Sequence, residues 1–156
     1  MTFDLADTIT TVLEQFAQMA TSGDVVLRDE SVPTPLVADE GLLIQLLVNL
    51  VDNAITHTPP DGRVSVGCRG DDGVVRIWVT DTGEGIAPEH QARIFDRFAR
   101  IDSGRGRAQG GVGLGLAICK AIVEVHGGSI ALTSAPGRGA RIDILFPVGT
   151  QPAVRC

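Results

Sequence analysis

Residues 63–69 (RVSVGCR) and 74–81 (VVRIWVTD) alternate apolar and polar side chains, and the turn Asp71-Asp72-Gly73 lies between them. Alternation with a period of two is the pattern of a strand buried on one face, and an Asp-Gly turn closes two such strands into an antiparallel hairpin. A second pair, 129–134 and 139–146, flanks Ala135-Pro136-Gly137-Arg138-Gly139. Two hairpins commit the chain to a largely antiparallel sheet, and such a sheet needs cover on at least one face.

Amphipathic segments supply that cover. Leu5, Ile9, Val12, Leu13 and Phe16 recur at helical spacing over 3–20, and Ser22-Gly23 ends the run. DVVLR at 24–28 reads as a strand, and Ser31 to Pro35 as a proline-punctuated loop. Asp39 is a good N-cap for a helix reaching about His57, where Pro59-Pro60 and Asp61-Gly62 stop it. Leu43, Leu46, Leu47, Leu50 and Ala54 form its apolar stripe. A short helix is expected over 88–95 and a long Gly/Arg loop over 99–112. A further helix is expected over 113–126, with Ile118, Ala121, Ile122 and Val125 in the core and Gly127-Gly128 as its C-cap. The expected fold is α+β: a two-layer α/β sandwich, with a mixed, mostly antiparallel sheet of about five strands and about three helices on one face. Strict βαβ alternation is missing, which argues against a doubly wound parallel sheet. One domain is expected over 1–148 and a loose tail over 149–156.

The net charge of −6 over 156 residues argues against a nucleic-acid or anionic-membrane partner. No apolar run approaches the length of a membrane span, and no signal peptide opens the chain. Cys68, Cys119 and Cys156 show no metal-ligand spacing and read as reduced thiols of a cytoplasmic protein. Between 97 and 107, Arg97, Arg100, Arg105 and Arg107 face only Asp102, so this stretch is either a local anion site or a solvated loop.

Three elements can carry chemistry. Asn49, Asn53 and His57 follow one another at intervals of four and so share one stripe of a helix. An asparagine carbonyl at the edge of a buried face can ligate Mg²⁺, or the amides can simply cap loops or meet solvent. At 81–86 (DTGEGI) a strand runs into Asp81, and Gly83 and Gly85 break it. A carboxylate there can accept a hydrogen bond from an exocyclic amine such as adenine's, where guanine offers a carbonyl; an ordinary Asp/Gly turn is the other reading. At 110–128 (GGVGLGLAICKAIVEVHGG) glycines lead into an apolar helix, whose free N–H groups favour anions. No Walker A or dinucleotide fingerprint is present.

The order of these elements resembles the catalytic ATP-binding domain of bacterial two-component sensor histidine kinases, a branch of the superfamily that also holds DNA gyrase B, the 90-kilodalton heat-shock chaperone and MutL. The resemblance spans about residues 3–148. It rests on Asn49-Leu50-Val51-Asp52-Asn53-Ala54 as the N box and Asp81-Thr82-Gly83-Glu84-Gly85-Ile86 as the G1 box. Ile94-Phe95-Asp96-Arg97-Phe98 matches the F box, and Gly111-Val112-Gly113-Leu114-Gly115-Leu116 the G2 box. It implies that Asn53, with help from Asn49, binds the Mg²⁺ that bridges the phosphates of ATP. Asp81 would bind the adenine amino group, with Gly85 allowing close approach. The backbone of Gly111, Val112, Gly113, Leu114 and Gly115 would hold the phosphates. His57, Gly83, Ile86, Phe98 and Leu116 join the same nucleotide set. Residues 96–112 would form a lid, from which Arg97 or Arg100 meets the γ-phosphate or docks the partner domain.

Asn49 stands where the hydrolysing branches carry a glutamate base, and a positioned base contributes about 10²–10⁴-fold. Slow hydrolysis is therefore implied. Thr56, Val112 and Ala140 depart from the family pattern, losing a cation and two hydroxyls near the nucleotide. His57, His90 and His126 are followed by Thr, Gln and Gly, so none matches the phosphoacceptor signature. The expected function is transfer of the γ-phosphoryl group of Mg-ATP to a histidine on a separate dimerisation and phosphoacceptor domain, for relay to a response regulator. The chain would then be a cytoplasmic piece of a membrane-anchored kinase, monomeric alone and homodimeric in full length. The alternatives are an anti-sigma-type serine kinase and a nucleotide-gated interaction module.

Overall fold

The computed structural model describes residues 2–86, 91 and 112–147. Strand β1 (Thr2–Asp4) leads directly into helix α1 (Leu5–Ser22), followed by β2 (Val26–Asp29) and β3 (Pro35–Val37). Helix α2 spans Glu40–Thr56, and β4 (Arg63–Asp71) and β5 (Val74–Asp81) form the first hairpin. Helix α3 spans Val112–Val125, and β6 (Ser129–Ser134) and β7 (Ala140–Pro147) form the second hairpin.

The main sheet has five strands in the order β2-β4-β5-β7-β6. All its pairings are antiparallel except β2 with β4, where α2 makes the crossover that parallel neighbours require. The α+β sandwich expected from the hairpins is the observed architecture. A separate two-stranded sheet, β1 with β3, was not anticipated. It begins at Pro35, where the proline loop was expected to end, and only the docking of residues 2–4 creates it.

The core lies between the three helices and the inner sheet face. Val64, Val66, Ile77, Ile144 and Phe146 are buried on the sheet, and Leu43, Leu46, Leu47, Leu50 and Ala54 on α2 meet them, as the stripe predicted. Asp39 caps α2 through its side chain, which accepts from the Leu42 N–H at 3.1 Å. The reading of α3 needs correction. Ile122 is buried, but Ile118 and Val125 are 36% and 38% exposed, and Ala121 is exposed as well. The inward face is instead Leu116, Cys119, Ile122, Val123 and His126. A helix apolar on nearly every side gives periodicity no purchase on which face turns inward. The short helix expected over 88–95 and the loop over 99–112 fall outside the described residues, apart from Gln91, which is helical, and Val112, which already belongs to α3 rather than to the loop.

Candidate functional site

Asp81 ends β5, paired with Val64 on one side and Ala140 on the other. The strand delivers its carboxylate to the rim of the core, where Oδ1 accepts the Gly83 N–H at 2.8 Å. Burial pushes the carboxyl up from 3.8 to about 6, against the pull of hydrogen bonds from the Gly83 and Ala140 backbones. The result is a largely desolvated acceptor, short of donors, which suits it to an amine brought by a ligand.

Two glycines set the loop after it. A side chain at Gly83 would run into the His57 backbone carbonyl, so the loop is seated against the C-terminus of α2. Gly85 has φ +79°, and a Cβ there would overlap the Ala135 carbonyl. Only glycine allows both the left-handed backbone and that approach.

One turn back along α2, His57 N–H donates to the Asn53 carbonyl at 3.1 Å. Asn49, Asn53 and His57 are all partly buried, as a stripe at the core's edge should be. The Asn53 Oδ1 is fully buried and has no hydrogen-bond partner among the described residues. An unsatisfied buried acceptor costs about 1–3 kcal/mol, so this oxygen suits a cation, a water or a donor other than the described residues. Among the described residues no group of three or more His, Cys, Asp or Glu side chains could hold a metal. A Mg²⁺ here would depend on amide oxygen and on the phosphates it bridges, which fits a hard cation.

The close fit of Gly83 on His57 therefore brings the 81–86 loop to the asparagine helix. Val112, Gly113, Leu114, Gly115 and Leu116 lie in the first turns of α3, and Leu116 is buried. The body of α3 packs beside α2, with the Cys119 Sγ 3.8 Å from the Leu46 carbonyl. Arg97, Phe98, Arg100 and Gly111 lie outside the described residues. Sequence reasoning missed Ser134 and Gln91, whose side chains bond to the 81–86 loop. It also missed the role of His126, whose buried Nε2 accepts the Asp39 N–H at 3.2 Å and ties the end of α3 to the start of α2. Ser134 and His126 are polar residues at the edge of apolar runs and Gln91 sits in a polar stretch, and only tertiary contact distinguishes each from a solvated residue.

Residues 38–150 match the family described as histidine kinase-, DNA gyrase B-, and HSP90-like ATPase, and the chain belongs to this family. Within it the resemblance is to the ATP-binding catalytic domains of sensor histidine kinases. The chain is 46% identical over 117 residues to the sensor-like histidine kinase SenX3 of Mycolicibacterium smegmatis, a match covering 75% of this chain and 30% of SenX3. The chain thus spans less than a third of that relative's length. The solved mycobacterial sensor histidine kinase MprB superposes with a TM-score of 0.81 at 30% identity, covering 97% of this chain and 98% of that one. Full-length ShkA in complex with AMPPNP superposes with a TM-score of 0.83 at 32% identity, covering 98% of this chain and 32% of that one. Among the described residues no helix is long and apolar enough to cross a membrane.

Proposed function

We propose that this domain binds Mg-ATP and transfers its γ-phosphoryl group to a histidine on a separate dimerisation and phosphoacceptor domain, from which a response regulator is charged. The observation that carries the reading is the buried Asn53 Oδ1, without a hydrogen-bond partner among the described residues, on the helix against which the Asp81 loop is seated. Asp81 would accept the adenine amino group, Gly83 and Gly85 would let the ring approach, and Asn53, helped by Asn49, would hold Mg²⁺. That ion would neutralise charge on the phosphates. The N–H groups of the first turn of α3 would hold the phosphates, with Arg97 and Arg100 as candidates for the γ-phosphate. Asn49 offers no base for water, which favours transfer over hydrolysis.

The test is calorimetric titration with AMPPNP, with and without Mg²⁺, followed by addition of an acceptor-hairpin fragment and ATP. Magnesium-dependent binding and acid-labile phosphate on the hairpin are expected. Acid-stable phosphate would point to a serine kinase, and binding without transfer to an interaction module.

A further inference from the structure

The loop from Asp81 to Ile86 does not stand alone. It is fastened to the β6–β7 hairpin by two side chains that the nucleotide reading leaves unused. The Ser134 Oγ accepts the Ile86 N–H at 2.8 Å and donates to the Gly139 carbonyl at 2.7 Å. The Gln91 amide donates from one nitrogen to the Ile86 carbonyl at 2.8 Å and to the Ser134 carbonyl at 2.9 Å. Both backbone groups of Ile86 are thus held by side chains, and both hydrogens of the Gln91 amide are placed. The Gly137 N–H donates to the Glu84 carbonyl at 2.6 Å, and Asp81 itself pairs with Ala140 in the sheet. The loop is pinned at its start, middle and end to one hairpin.

We infer that Ser134 and Gln91 are positioning residues that form a latch, holding the 81–86 loop in the geometry that lets Asp81 select an adenine ring. The inference rests on the nucleotide reading above. The physical argument is one of fixed shape. Selectivity between two purines depends on an acceptor meeting a donor at one edge, and a hydrogen bond weakens steeply when its angle drifts. Glycines at 83 and 85 permit close approach, but they also leave the loop many backbone states. A hydroxyl that must both accept and donate, and an amide that must donate twice, remove that freedom. Neither Ala at 134 nor a carboxylate at 91 can make these bonds.

The experiment titrates Mg-ADP and Mg-GDP by calorimetry into the unmodified domain, Ser134→Ala, Ser134→Thr and Gln91→Glu, with a thermal melt of each. Ser134→Ala and Gln91→Glu are expected to weaken ADP binding about tenfold while GDP binding changes little, so the preference for adenine falls. Ser134→Thr keeps the hydroxyl and is expected to keep the preference. Should Ser134→Ala fail to fold, Gln91→Glu carries the test. Equal weakening toward ADP and GDP, in step with a lowered melting temperature, would mean a merely structural role and overturns the latch. An adenine preference that survives both variants overturns the latch alone. No adenine preference in the unmodified domain overturns the nucleotide reading and the latch with it.

Discussion

A carboxylate kept from water, with no cation beside it among the described residues, works against the fold that holds it. Asp81 is raised to about 6 by burial, so the folded domain binds its proton more tightly than the unfolded chain does, and the protonated form contributes stability. That contribution is full below 3.8 and is lost as pH rises through about 6, amounting to no more than ~3 kcal/mol. Asp81→Asn is therefore expected to leave the empty domain at least as stable at neutral pH while abolishing adenine-nucleotide binding; paired thermal melts and titrations check both halves. The ionised form is the stronger acceptor for an amine N–H, so affinity for ADP is expected to fall as pH drops below about 6, with proton release on binding near that pH. Calorimetry in buffers of different ionisation enthalpy measures the release. Burial acts on the thiols in the same direction. It pushes Cys119 up to about 12 and raises Cys68, so neither offers a thiolate at neutral pH.

Among the elements, the β4–β5 hairpin shows sequence and structure in closest agreement. Its two-residue turn, Asp72-Gly73, has φ of +48° and +81°, the pattern of a type I′ turn. A Cβ at Gly73 would meet nothing within 4 Å. Gly73→Ala should therefore act through backbone strain alone, lowering stability by ~1 kcal/mol without touching nucleotide affinity, as denaturant unfolding and titration would show. At Gly85 the same change meets the Ala135 carbonyl as well and must move the loop. Helix α3 is the opposite case. Its sequence is apolar on almost every side, and its face is chosen by the neighbours it packs on, among them the buried His126 in edge contact with Phe146 at 5.7 Å.

For the whole molecule, the helices on one sheet face place the end of α2, the end of β5 and the start of α3 in one two-layer body. A ligand joining them should stabilise the fold as a unit. Mg-ADP at a hundred times its dissociation constant is expected to add ~2.7 kcal/mol to unfolding stability, and GDP at the same concentration far less. Thermal shift with both nucleotides checks this, and the shift should vanish in Asp81→Asn.

The hairpins, the Asp39 cap and the α2 stripe were legible in the sequence because each depends on residues close together in the chain: a turn dipeptide, a capping side chain, a repeat of side-chain spacing. The candidate site was legible as an order of short boxes for the same reason. What the chain read alone did not contain was contact between distant segments. The parallel β2–β4 pair, the β1–β3 sheet, the inward face of α3 and the bonds of Ser134, Gln91 and His126 all join residues far apart in sequence. So do the burial that raises Asp81 and the unpartnered oxygen of Asn53. These follow from desolvation and hydrogen-bond geometry, which are set only once the layers close.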